Sequence, residues 1–343
     1  MNRWKGRMLL LGGLVGTAYG LLAYAAFTSA GHLAWGPGRG VVASFSYLAL
    51  VPLALSAVPL LFSDPDQMTW YRSALFIPWV STFGMFLLLA VTQIEGALCF
   101  LVLVVPFVLL ISTGVWLVRA LSLWRLRKAR RRAAGLLMML LPFLTASFEH
   151  RWLTRVETNS VETVVLVRAA PGEVWRQIVE VPFIDDRELA PGLLHRLGLP
   201  RPLRATVDAP RLGGQRIGFF DGGLRFKETI LAFEPQRRML LGVTVDPATI
   251  ANLPSLRHAL EGGYMRLLAV EYRLHPQEVA GETRLSLACR YELRSSVNLY
   301  GQAWVNLILR DFEERLLPVI QARAEAAARR GTTPSALAPL CCL

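Results

Sequence analysis

Glu228 is the residue of this 343-residue chain whose setting most suggests chemistry, because it interrupts an apolar strand face. In 224–233, Leu224, Phe226, Glu228 and Ile230 recur at the two-residue period that puts strand side chains on one side. A carboxylate there must be ion-paired, protonated or wet, and burial would raise its pKa toward the range of a general acid or base. The competing reading is a structural ion pair, with Arg225 and Arg290 as candidate partners. Tyr272 and Tyr291 occupy comparable faces in 264–274 and 284–293, where each hydroxyl could bond a ligand carbonyl or simply rim a core. His258 could cap the mouth of the space these faces enclose, or lie on a surface loop; 253–263, with Arg257 and Glu261, reads as a lid or a plain connection. His150, His195, His258 and His275 are dispersed without metal-ligand spacing, and no HExxH, P-loop, nucleophile elbow or Rossmann glycine pattern occurs. Neither a metal nor a cofactor is expected. Cys99 lies in an apolar run, Cys289 in a strand and Cys341 and Cys342 in a tail over 331–343, which is not a disulfide or zinc pattern.

These faces require strands to carry them. Val161, Thr163, Val165 and Val167 alternate with more polar neighbours, then Pro171 and Glu173 open a short helix. Further strands are predicted at 203–209, 215–220, 224–233, 239–245, 264–274 and 284–293, bounded by Gly213-Gly214, Asp221-Gly222-Gly223, Glu234-Pro235-Gln236 and Ala280-Gly281-Glu282. Their inner faces would carry Met239, Leu241, Val243 and Val245, then Leu268, Val270, Tyr272 and Leu274, then Leu285, Leu287, Cys289, Tyr291 and Leu293. Closely spaced, turn-linked strands make an antiparallel meander. A long helix over about 297–330 follows, with Trp304, Leu307, Ile308, Phe312, Leu316, Val319 and Ile320 as its apolar stripe. Trp304 and Phe312 would therefore face the same enclosed space as Phe226, Glu228, Tyr272 and Tyr291.

The first 149 residues have a different character. The chain is 53% hydrophobic and 18% charged, against about 25% charged in an ordinary soluble domain. Four uncharged runs, 8–27, 41–62, 74–91 and 97–118, have the length that spans a bilayer, and a fifth, 133–148, is shorter and holds Pro142. A charge at the centre of such a helix costs about 2.5 to 3.5 kcal/mol, so the absence of charge is informative. The first run reads as an uncleaved anchor rather than a signal peptide. Arg3, Lys5 and Arg7 precede the first run, and Arg119, Arg125, Arg127, Lys128, Arg130, Arg131 and Arg132 follow the fourth, whereas 31–40 holds only Arg39. The positive-inside rule puts both basic stretches in the cytoplasm. If 133–148 then crosses, as we read it, 150–330 lies on the non-cytoplasmic side; if it lies at the interface, that domain stays in the cytoplasm. No acid lies within the spans, Glu95 and Glu149 standing at helix ends, so packed helices are favoured over a pump or channel. The basic stretch marks topology and anionic lipid contact rather than nucleic acid.

The second half resembles a known family. Val164-Val165-Leu166-Val167-Arg168-Ala169-Ala170-Pro171-Gly172-Glu173-Val174-Trp175 is similar to the opening of the SRPBCC superfamily, also called START-like or polyketide cyclase/dehydrase-like, in which an "APxxVW" phrase follows the first strand. Phe226-Lys227-Glu228-Thr229-Ile230, with Glu234-Pro235-Gln236-Arg237-Arg238-Met239-Leu240 after it, resembles its mid-domain phrase. The resemblance covers about 156–330 and nothing of the membrane half. It implies an α+β helix-grip domain, a curved antiparallel sheet around a long C-terminal helix, attached to an α-helical transmembrane bundle of four to five helices over 1–149. Members hold lipids, sterols, polyketides or quinone-like molecules, and some catalyse cyclisation or hydrolysis.

The expectation is an integral membrane protein, in the cytoplasmic membrane if bacterial, that binds or transfers a lipid-like or isoprenoid-like ligand, with membrane lipids as its other partner. The alternatives are a cyclase, dehydratase or hydrolase using Glu228 as acid or base, and an assembly or regulatory subunit whose helices meet another membrane protein or a second copy of the chain.

Overall fold

The structure is a computed structural model that describes residues 2–33, 43–62, 71–92, 97–123, 128–189, 191–250, 253, 263–278 and 281–331. His258, Arg257, Glu261, Glu95, Arg39, Arg125, Arg127, Cys341 and Cys342 lie outside the described residues.

The first half is helical: α1 Asn2–Leu33, a π turn Ser46–Leu50 leading into α2 Val51–Ala57, α3 Pro59–Phe62, α4 Tyr71–Val91, α5 Ala97–Leu123 and α6 Lys128–Trp152. Among the described residues, three stretches are long and apolar enough to cross a membrane, Leu10–Thr28, Ala97–Ala120 and Arg130–Trp152, while Ser46–Ala57 and Leu75–Val91 are shorter apolar helices. The run 41–62 is therefore not one uninterrupted helix. Pro59 lacks the N–H that would continue the ladder, and the chain breaks at Val58 between α2 and α3. The short run 133–148 sits inside a 25-residue helix, because its basic N-terminal flank is helical too.

Contacts fix the helix directions. Gly12, Gly16 and Gly20 of α1 meet Ile77, Ser81 and Met85 of α4, so the two run parallel. A side chain at Gly16 or Gly20 would collide with Ser81 or Met85, which is why this face is built from glycine. Ser46 bonds Thr145 of α6 at 2.9 Å while Ala57 packs near Met138, so 46–57 runs antiparallel to α6. Tyr47 stacks near Phe107 and Ala57 near Val118, so 46–57 runs with α5. The start of α1, the end of α5 and the start of α6 consequently share one end of the bundle.

The second half opens with β1 Arg155–Val167, α7 Pro171–Val179 and α8 Leu193–Arg196. It continues with β2 Pro202–Val207, β3 Gln215–Phe220, β4 Arg225–Glu234, β5 Arg238–Val245, β6 Met265–Pro276, β7 Thr283–Ser295 and α9 Asn298–Gly331. All seven strands form one antiparallel sheet in the order β1-β7-β6-β5-β4-β3-β2. Gly222 and Gly223, with φ of 70° and 80°, turn β3 into β4 through a region that costs other residues strain. The sheet curls over α9, and Leu241, Leu285, Leu287, Leu317 and Ile320 are buried between them. The arrangement is consistent with a helix-grip-like fold. Two inward assignments change. A bulge between Leu267 and Ala269 puts Met265 and Leu267, rather than Leu268, on the enclosed side. Leu307 is exposed on α9, while Leu309 and Leu317 are buried.

The halves meet at Glu149, 3% exposed near the end of α6. Its carboxylate accepts from the N–H of Phe45 (2.5 Å) and of Ser46 (2.7 Å), and from the Ser296 hydroxyl just before α9. Ser44 Oγ accepts from the Tyr47 N–H at 3.1 Å, so the donors left over where this helical segment starts are satisfied locally and by α6 together. Ser295 Oγ donates to the Ala43 carbonyl (2.6 Å), and the Tyr300 hydroxyl to the Val102 carbonyl of α5 (2.6 Å).

Candidate functional site

A cavity of about 290 Å³ runs between the sheet and α9 and continues to the helical half, where Ala43, Leu48, Leu98, Cys99, Val102 and Leu103 complete its wall. Leu224, just before β4, and the inner faces of β4, β5 and β6, with Phe226, Val243 and Val270, line it, and α9 supplies Trp304, Leu309 and Phe312. The lining is overwhelmingly apolar, as a hydrophobic ligand site requires.

Its polar centre is Glu228, 8% exposed, paired with Arg216, 4% exposed. The β3–β4 register sets Arg216 directly opposite Glu228. Arg216 Nη1 donates to Glu228 Oε2, while Nε and Nη2 point at the carbonyls of Val179 (3.3 Å) and Ile178 (3.4 Å) at the end of α7. One guanidinium therefore pairs the acid and covers carbonyls that the short helix leaves open. Burial opposes the charge on Arg216, but Glu228 and the Tyr272 oxygen more than offset it, so its pKa is raised. Tyr272 lines the cavity beside this pair, and burial pushes its hydroxyl well up, which keeps it a neutral donor. Gly218 leaves the room that the acid occupies, because a side chain there would start 3.0 Å from Glu228 Oε1.

Phe226, Glu228, Tyr272, Trp304 and Phe312 all reach the cavity wall. Tyr291 does not. It is fully buried under α9, and its hydroxyl donates to Asn306 Oδ1 at 2.6 Å, so it serves the sheet–helix contact rather than a ligand. The partner of Glu228 is also neither Arg225 nor Arg290. Arg225 projects from the opposite face, near the Phe219 ring, and Arg290 is exposed. Strand parity within 215–220 aligns Arg216 with Gly218 and Phe220, but only the inter-strand register brings it to the acid.

Sequence reasoning missed a second buried acid. Glu313 of α9 is fully buried, accepts from Thr163 Oγ1 at 2.7 Å and lies against the Cys289 thiol. Burial raises its pKa, and the bonds from Thr163 and Cys289 pull weakly the other way. A raised folded-state pKa makes its contribution to stability complete below the unfolded value, about 4.3, and progressively lost as pH climbs through the folded value. Glu313→Gln keeps an acceptor for Thr163 and cannot ionise. Its melting temperature should exceed that of the wild type by a margin that widens from pH 4.5 upward and then levels; a margin independent of pH would reject this account. Among the described residues, no group of three His, Cys, Asp or Glu is placed to hold a metal ion.

No protein-family model matches this chain, and no curated protein matches it either. Solved structures do. The Zhui aromatase/cyclase of Streptomyces sp. R1128 is 14% identical, covering 53% of this chain and all of its own, at a TM-score of 0.33. A protein of Nitrosospira multiformis is 18% identical over 50% of this chain and all of its own, at a TM-score of 0.30. Mll3558 of Rhizobium loti is 15% identical over 49% of this chain and 99% of its own, also at 0.30. Each match takes in about half of the present chain, and the site is read from this chain's own residues.

Proposed function

We infer that this protein is a membrane-anchored binding or transfer protein for a hydrophobic small molecule, held in the cavity between the sheet and α9. The supporting observation is the cavity itself: about 290 Å³, apolar over most of its wall, with a buried polar cluster at Arg216, Glu228 and Tyr272. Burial of apolar ligand surface at about 25 cal/mol per Å² would supply affinity, and the cluster would orient the ligand. The helices of the first half, five apolar segments alternating in direction, act as the anchor. Their basic ends sit away from the domain, so the positive-inside rule makes that end cytoplasmic and puts residues 150–330 on the other side.

The full chain purified in mild detergent should carry a hydrophobic molecule detectable by native mass spectrometry, and protease added to sealed right-side-out vesicles should reach the domain. An empty cavity that takes up nothing from mixed lipid extract would reject the binding reading, and cleavage confined to inverted vesicles would reject the orientation. A cyclase, dehydratase or hydrolase would use Glu228 as acid or base beside Tyr272. Commitment of Glu228 to Arg216, which also covers the end of α7, favours a structural and orienting carboxylate instead.

A further inference from the structure

We propose that the cavity is loaded sideways from the bilayer through the wall made by the protein's own helices, and that its occupant is an uncharged amphiphile, a single hydroxyl or carbonyl group on an extended apolar chain. The inference rests on the binding reading above and adds the route, the polarity and the head-group class.

The two ends of the cavity differ in kind. Met265 begins β6 opposite Leu293, two residues before Ser295, whose hydroxyl is bonded to Ala43 of the helical half. This end is closed by Leu48, Leu98, Val102 and Leu103, the last three from the first turns of α5, together with Ser295 and Tyr300, whose hydroxyls are committed to the Ala43 and Val102 carbonyls, and Asn298, whose amide N–H donates to the Arg155 carbonyl while its Oδ1 is left unmet. Tyr272 lies seven residues further along β6, on the order of 23 Å at strand rise, beside Arg216 and Glu228. An elongated molecule thus has a polar end available deep in the domain and an apolar end available at the helices.

The helix end is placed where hydrocarbon would be. Trp152, Leu153, Val156 and Leu299 surround the base of the domain with large apolar side chains 46% to 83% exposed. Such a collar is costly in water and favourable at a membrane interface, where tryptophan concentrates. With the collar at that depth, the α5 wall faces the acyl region, and an apolar chain would enter without crossing water.

Charge selects the head. Arg216 and Glu228 neutralise one another inside an apolar enclosure, and a charged head beside them would be a buried ion without a counter-ion, whose desolvation the pair could not repay. A ligand hydroxyl can instead donate to Glu228 or bond the Tyr272 hydroxyl, and a ligand carbonyl can accept from the Tyr272 hydroxyl, in each case at no net charge.

The test uses the full chain in phosphatidylcholine nanodiscs containing a C16 alcohol or the matching C16 carboxylic acid, each with a photoreactive diazirine at the chain end. Illumination should attach the alcohol to α5 within 98–103 and to the start of α9, with at least tenfold less attachment from the acid. Val102→Trp, at the wall, should slow loading at least tenfold, and Leu98→Trp should do the same if the first variant folds poorly, while Leu166→Trp, on the outer sheet face, should leave loading unchanged. Attachment of the chain end around Tyr272, equal labelling by the acid, or full-speed loading of both wall variants would overturn the proposal while leaving the binding reading in place. Absence of labelling by either probe, in a protein that native mass spectrometry finds empty, would remove both.

Discussion

Arg216→Met is expected to lower the stability of the sheet domain by about 3 to 5 kcal/mol, the usual consequence of leaving one member of a buried ion pair without its partner. The size follows from the setting. Glu228 is 8% exposed on an apolar wall, and its guanidinium partner also covers the Val179 and Ile178 carbonyls. Replacing both members, as Arg216→Met with Glu228→Leu, removes the orphaned charge and should recover most of the loss, with a remainder for the uncovered end of α7. Chemical unfolding followed by the fluorescence of Trp175 and Trp304 would measure both. A single variant within 1 kcal/mol of the wild type would mean that water reaches the carboxylate, and the cavity would then be wetter than its lining implies. The double variant is also informative about function: a binding site should keep a ligand in it with altered orientation, whereas an enzyme using Glu228 would lose all turnover.

Glu149→Ala should release the domain from the helices. The substitution strips the Ser46 N–H and the Ser296 hydroxyl of their acceptor, while the Phe45 N–H loses the carboxylate but keeps Ser296 Oγ at 3.0 Å. At about 1 to 3 kcal/mol for each buried donor left unmet, a loss on the order of 3 kcal/mol in local docking is expected. The tryptic site at Arg155, in the β1 end of the junction, should then open on the order of a hundredfold more often, read as faster cleavage of the detergent-solubilised full chain. Ser296→Ala, which removes its bond to Glu149 and the one it accepts from the Phe45 N–H but leaves both backbone N–H groups the carboxylate, should have a smaller effect. Cleavage at the wild-type rate in Glu149→Ala would show that the Tyr300 bond to α5 and the packing of Val297 suffice to hold the junction.

Much of the architecture was legible in the sequence because it depends on local periodicity. Alternation in 224–233 and 284–293, with glycine turns between strands, is a consequence of the pleat and of burying one face, and it carried the strands, the long final helix and most of the cavity wall. The departures occur where local pattern is insufficient. Leu268 left the inner face because one extra residue in β6 reverses strand parity, which alternation cannot register in advance. Tyr291 has the correct parity for the cavity, yet the curl of the sheet brings that part of β7 under α9, where Asn306 takes its hydroxyl. The 41–62 run is apolar throughout, and hydropathy does not register that Pro59 interrupts its hydrogen-bond ladder.

By itself, then, the amino-acid sequence determined that a helical half with uncharged apolar runs between basic stretches precedes an antiparallel sheet and a long helix, and that an acid interrupts an apolar face. Tertiary structure decided that Arg216 neutralises that acid, that Glu149 ties the two halves together, and that α5 completes the cavity wall. These last three join residues 12, 147 and 198 positions apart. Periodicity reports which side of its own element a residue faces; what stands opposite is set by strand register and helix packing, which only the folded chain supplies.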